Sequence, residues 1–272
     1  MRLSRPVRWL LAAITAATLA YLYVPLLVVA RLSFTRAKSV AWPADGWTVR
    51  WWREAWESDG PREALFLSVR VALVATLIAL VLGTLAAFAL HRRRFFGRDA
   101  VSFLMVLPIS LPGIVTGLAL QNTFTRTIDL GIVSFEVGLG FHSLVVAHAT
   151  FCVVIAYNNV IARLRRMSPN LLEASADLGA SPVQTFRLVT FPLVRSALLA
   201  GGILAFALSF DEIVVTTFTS GSGYTTLPQW IYNNFARPKA PAVVNVVATL
   251  VMFVSIPIAW LAQRLSDGPS HG

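Results

Sequence analysis

Apolar residues run through this chain in blocks about 20 residues long, the length a helix needs to cross bilayer hydrocarbon. Six blocks reach it, at about 9–30, 69–90, 100–121, 141–162, 196–218 and 242–263. Between them lie polar stretches in which arginine predominates. The pattern predicts an all-α polytopic membrane protein, one transmembrane domain over residues 1–272. The first block opens like a secretory signal, with Arg2, Arg5 and Arg8 ahead of an apolar run. Trp9 to Ala30 is 22 residues without a charge, too long for a typical signal core, and no small-x-small cleavage site follows. It is expected to stay as the first helix.

Charge placement orients these spans. With the N-terminus in the cytoplasm, the cytoplasmic segments hold thirteen of the 23 basic residues and four of the 13 acidic ones. The densest clusters, His91–Arg94 and Arg163–Arg166, abut span ends, where cations hold a segment on the cytoplasmic side. Both termini are therefore expected inside. The same placement accounts for the net charge of +10 without nucleic acid as a partner. Charged residues make up 13% of the chain, about half the share of a soluble domain, so the bilayer itself is the first partner implied. One cysteine, Cys152, and four histidines without ligand spacing give neither a disulfide framework nor a metal site.

Two outside or intramembrane features carry more than hydropathy. Residues 31–68, the longest outside segment, hold Trp42, Trp47, Trp51, Trp52 and Trp56. Thr48–Glu57 reads as a short amphipathic helix, either an anchor on the outer leaflet or a docking surface for an outside partner. The third block contains Pro108, Pro112 and Gly113, with Gly117 four residues further on. Proline kinks a helix. The glycine pair serves either close helix packing or a broken helix lining a path.

The cytoplasmic loop 163–195 is the most specific stretch. Ser168-Pro169 and Ser181-Pro182 each read as a helix start, and Gly179 between them as a left-handed helix stop. The loop should fold as helix, glycine turn, helix. Leu171, Leu172, Ala174, Ser175 and Leu178 give the first helix an apolar or small face that needs a partner. Glu173-Ala174-Ser175, then Gly179, Val189 and Phe191-Pro192, keep one register over 20 positions. That register resembles the cytoplasmic signature of permease subunits of binding-protein-dependent ABC importers: EAA, three residues, G, nine residues, I, one residue, LP. Ser175, Val189 and Phe191 depart from it mildly. The resemblance implies a type I importer permease with this loop as its coupling helix. Glu173, Ala174, Ser175, Asp177, Leu178, Gly179 and Pro192 would then lie at or beside the contact with an ATPase. It implies two copies of that ATPase, a second homologous permease and an extracytoplasmic solute-binding protein, in a bacterial inner membrane. The only lysines, Lys38 and Lys239, stand in no phosphate-binding loop. The chain is therefore expected not to be an enzyme and to carry no cofactor, ATP and magnesium belonging to the partner ATPase.

Asp211 and Glu212 interrupt the fifth block. An ionisable residue in a span is costly and is a functional candidate. On one continuous helix the two point about 100° apart. Glu212 then continues a row of Gly201, Ala205, Ser209, Thr216 and Thr219, expected to face a water-filled path, with Asp211 at a helix interface or its rim. Alternatively the pair lies at the outer mouth. The stretches Ser209–Ile213, Thr226–Tyr232 and Leu107–Val115 resemble spermidine/putrescine-type permeases, which implies a polyamine cargo. Trp230 and Tyr232 either face an ammonium group or anchor at the interface. An importer of another small solute, such as an amino acid derivative or a metal chelate, and a secondary transporter working alone are the rival readings.

Overall fold

The computed structural model describes residues 4–38, 42–92, 96–129, 134–168, 170–236 and 241–266. Arg2, Arg93, Arg94, Pro169 and Lys239, singled out above, lie outside them. The helices, in chain order, are α1 (Arg5–Leu32), α2 (Arg50–Glu57), α3 (Asp59–Arg92), α4 (Arg98–Ser110), α5 (Gly113–Phe124), α6 (Phe141–Arg165), α7 (Asn170–Asp177), α8 (Pro182–Thr185), α9 (Phe191–Phe210), α10 (Val214–Thr219), α11 (Leu227–Ala236) and α12 (Pro241–Ser266). A π-helical turn, Phe186–Thr190, joins α8 to α9. A two-residue antiparallel pair, β1 (Ile128–Asp129) and β2 (Ser134–Phe135), is a local addition that hydropathy did not foreshadow.

Four described helical runs are long and apolar enough to cross a membrane: α1, α3, α6 and the run Pro182–Phe210. The third block, where the prolines predict a kink and a broken helix is one of the two readings, is not continuous. It breaks into α4 and α5, bent by 101°. Pro108 stays inside α4, and the break falls at Leu111, which is extended at φ −82°, ψ 145°. A proline's ring pushes the residue before it out of helical geometry, so Pro112 explains that position. Pro112 itself then opens α5. The apolar part of α12, Pro241–Pro257, is shorter than a full span.

The chain divides into two compact units. One comprises residues 1–62 and 230–256. Within it α1 exposes Trp9, Leu10, Ile14 and Tyr21, a surface suited to lipid rather than water. The expected amphipathic helix is α2, and its tryptophans divide. Trp51 is buried and donates from Nε1 to the Thr35 carbonyl at 2.8 Å. Trp52 stacks on Phe34 at 5.3 Å, whereas Trp56 stays exposed. Trp51 is thus a local core residue and Trp56 a surface aromatic.

The other unit comprises residues 63–229 and 257–272. Its core is built on α6, which is buried along two-thirds of its apolar stretch. Ala87 and Leu90 of α3 pack with Tyr157, Val160, Ile161 and Leu164 of α6 and Val194 of α9. Ala79, Ala147, Phe151, Cys152, Ala205 and Val215 form a second cluster. Small residues at these seams let helices approach closely, the usual source of cohesion where lipid offers no hydrophobic drive. Gly117 is one such seam: a Cβ there would stand 2.6 Å from Phe218 Cδ2 of α10. Gly113 faces Val214 in the same way, at 3.2 Å. The glycine pair therefore serves helix packing and lies just past a helix break.

Candidate functional site

The loop after α6 folds as helix, turn, helix. Ser168 accepts from Leu171 N through its carbonyl at 3.2 Å, and α7 begins at Asn170. Its end is a Schellman turn. Gly179 N donates to Ala176 O at 2.9 Å and Ala180 N to Ser175 O at 3.1 Å. Gly179 sits at φ +76°, where a side chain is strained. Ser181 then caps α8 reciprocally with Gln184, the Gln184 Oε1 accepting from Ser181 N at 2.7 Å.

One contact locks this elbow. Ser175 and Thr185, both buried, share a hydroxyl hydrogen bond of 2.7 Å between α7 and α8. The serine that departs from the family's alanine therefore has a partner across the turn. Glu173, Ala174 and Asp177 are exposed, as are Leu178 at 89% and Val183 at 73%. Apolar side chains displayed on a stiff knob point to a protein partner. Beyond α8 the backbone widens into the π turn, and Phe191 N donates to Phe186 O. Pro192 follows at once, in the first turn of α9. It has no N–H to return to the preceding turn, and a π turn is one way to accommodate that. Arg163 Nε donates to Leu193 O at 2.9 Å and ties the end of α6 to the start of α9. The knob is thus anchored to two membrane helices.

The carboxylate pair sits elsewhere than the continuous-helix reading put it. α9 ends at Phe210, Asp211 is its C-terminal cap, and the chain restarts as α10 at Val214. The 100° argument does not apply across that break. Glu212 turns back on α10, its Oε1 accepting from Val215 N at 2.8 Å. Asp211 is the exposed member of the pair. Glu212 thus caps a helix start, and Asp211 is the more exposed carboxylate of the two.

The row of small and polar residues is also relocated. Ser209 and Thr216, expected on a path, are buried against His148 of α6. His148 Nδ1 lies 2.8 Å from Ser209 Oγ and Nε2 lies 2.9 Å from Thr216 Oγ1. Thr216 donates its hydroxyl proton to Glu212 O at 2.9 Å, so it accepts from Nε2–H, leaving Nδ1 to accept from Ser209. Ala205 O receives the Cys152 thiol at 3.3 Å, and Thr219 O receives Ser143 Oγ at 2.7 Å. The row is the seam by which α9 and α10 grip α6. Trp230 and Tyr232 belong to α11 in the other unit. Trp230 is half-buried next to Gly60, and Tyr232 is exposed.

Residues 79–268 match the family described as "Binding-protein-dependent transport system inner membrane component". The chain belongs to that family. It is 34% identical over 233 residues to the putrescine transport system permease protein PotI of Escherichia coli K12, covering 85% of this chain and 82% of the relative. It is 33% identical over 253 residues to the spermidine/putrescine transport system permease protein PotC of Haemophilus influenzae, covering 93% and 94%. Among solved structures, a chain of a bacterial ABC transporter that imports alginate matches with a TM-score of 0.72 at 14% identity, covering 97% of this chain and 99% of that one. This last likeness speaks to the fold alone, an all-α permease fold. The chain is thus a transport permease of the inner membrane rather than an enzyme.

Reading the sequence alone overlooks His148 in this permease. It lacks ligand spacing, yet an ionisable side chain inside an apolar span is itself a signal. Here it is the polar bolt between α6, α9 and α10.

Proposed function

We propose that this chain is one permease subunit of an ATP-driven polyamine importer, for putrescine or spermidine, and forms half of the cargo path. The observation that carries the mechanism is the elbow: a capped, hydroxyl-locked knob with exposed Leu178 and Val183, rooted in α6 and α9. Such a knob transmits a push from a cytoplasmic partner to membrane helices, and two copies of an ABC ATPase are that partner. They bind ATP and magnesium, and this chain has no ATPase site of its own. A second homologous permease completes the path, and an extracytoplasmic binding protein delivers the cargo. The chain crosses the membrane six times as one permease domain with both termini inside, counting the bent pair as the third crossing and α12 as the sixth.

The cargo reading is supported by the names of the relatives and by Asp211, an exposed carboxylate at the far end of α9 from the elbow. A carboxylate at the outer mouth suits an organic dication. Uptake of radiolabelled putrescine in cells with and without this subunit tests it. Uptake should vanish with the subunit and return with its gene; undiminished uptake of putrescine and spermidine in its absence would sink the cargo reading.

A further inference from the structure

Two arginines meet in an open cleft between α6 and α9. The cleft holds about 400 Å³, in the range of small-ligand sites. Arg163 and Arg166 line it from α6 with Asn158 deeper in, and Ser196, Ala197 and Ala200 line it from α9. None of the described residues that line it is acidic. Neither arginine has a carboxylate partner among the described residues. Standing three residues apart, the two are neighbours on one helix face, where like charges repel. Arg163 is held in place, its Nε donating to Leu193 O at 2.9 Å. That bond leaves its Nη groups for another acceptor.

A fixed guanidinium beside a second one, with no counter-charge, suits an anion, and phosphate oxygens match the guanidinium fork. The depth of the cleft says which kind. Arg166 caps α6, and Asn158 lies eight residues earlier, about 12 Å along the axis at 1.5 Å per residue. The headgroup layer of a bilayer is about 5–8 Å thick on each side. The cleft therefore runs from the headgroup layer into the first of the hydrocarbon. Its charge sits at the end beside the elbow, and the alanines make its floor apolar. Asn158 and Ser196 are exposed, and neither side chain makes a hydrogen bond among the described residues.

We propose that this cleft binds the phosphate of an anionic phospholipid from the cytoplasmic leaflet. Arg163 and Arg166 take the phosphate oxygens, Asn158 and Ser196 donate to the ester carbonyls beneath, and the acyl chains leave over the alanines. The proposal rests on the orientation given to the importer above, with the elbow in the cytoplasm. On that side of a membrane, basic pockets between helices take anionic headgroups. Inorganic phosphate offers the same oxygens, but it would leave the apolar floor uncovered.

The test uses the full complex of permeases, ATPases and binding protein. It is reconstituted in phosphatidylethanolamine vesicles that carry a minor share of a photoactivatable phosphatidylglycerol. After illumination, labelled residues are mapped by peptide mass spectrometry. Label should fall on residues 158–166 of α6 and 196–200 of α9. Replacing part of the background lipid with plain phosphatidylglycerol should suppress it, whereas the same share of phosphatidylcholine should not. Arg166→Gln should lower labelling at least about fivefold, less than a hydrogen bond to a charged group commonly supplies. Arg165→Gln, which removes the same charge without lining the cleft, should not. Arg163 is kept because it also ties α6 to α9. If Arg166→Gln fails to assemble with the ATPase, labelling and competition in the native complex decide alone.

An unlabelled cleft means that the second permease covers it, and overturns the proposal. Suppression by phosphatidylcholine as strong as by phosphatidylglycerol does so too, as does an equal loss of label in Arg165→Gln. Suppression by inorganic phosphate to the same extent makes the occupant a soluble anion and overturns the lipid. A native complex that labels as expected but does not move putrescine defeats the cargo reading alone. One that moves putrescine with its cleft unlabelled defeats this proposal alone.

Discussion

Replacing Gly179 isolates the elbow from everything around it. The residue sits at φ +76°, and a Cβ there would meet nothing within 4 Å. Within this chain a substitution therefore acts through the backbone alone. Holding an L-residue in the left-handed region costs roughly 1–2 kcal/mol, and asparagine bears it better than alanine or a β-branched residue. At about 1.4 kcal/mol per factor of ten, the share of molecules with a formed elbow in a marginal loop falls by roughly five- to thirtyfold. A partner that binds only the formed elbow sees its apparent affinity reduced by that fraction. The assay is titration of the ATPase subunit against the purified permease pair, with transport per ATP measured in proteoliposomes. Affinity and coupling should rank Gly179 above Gly179→Asn, then Gly179→Ala, then Gly179→Val. Addition of excess ATPase should restore part of the transport. Equal coupling in Gly179→Val and the native chain would refute the reasoning, as would Gly179→Asn behaving no better than Gly179→Ala.

The other predictions concern buried contacts. Ser175→Ala leaves the Thr185 hydroxyl buried without its partner and should destabilise the elbow by about 1–3 kcal/mol. Adding Thr185→Val should recover most of that loss in a double-mutant cycle on ATPase affinity. His148→Leu removes two hydrogen bonds from the α6 seam, each worth about 0.5–1.5 kcal/mol net. It should lower the melting temperature of the detergent-solubilised complex, and an unchanged melting curve would mean the bolt carries no stability. Gly117→Leu drives a side chain into Phe218 and should cost about 1–3 kcal/mol by overpacking, with partial rescue by Phe218→Ala in the same thermal assay.

The elbow was legible in the sequence because its determinants are local. Ser181-Pro182 with Gln184 spells a capped helix start, and Gly179 a left-handed stop, whatever packs around them. The break at Leu111 was half legible. Two prolines announced a distortion, but only the conformational restriction ahead of Pro112 places it there. The break after Phe210 carried no such mark. Ile213 to Phe218 is as apolar as the helix before it, with no glycine or proline between, so periodicity ran straight through. What ends α9 is partly local, Glu212 capping the start of α10 three residues on, and partly tertiary, His148 holding Ser209 and Thr216 on either side. For the same reason the row from Gly201 to Thr219 looked like a path lining. Small polar residues serve a helix seam and a water-filled path equally well, and only packing tells them apart.

The sharpest measurement of the central claim is cargo uptake into proteoliposomes holding this chain, alone or with its second permease and ATPases. The account predicts that uptake requires ATP and the binding protein, and that it ceases when the elbow is disrupted by Gly179→Val. Accumulation by this chain alone, driven by an ion or proton gradient without ATP, would contradict it.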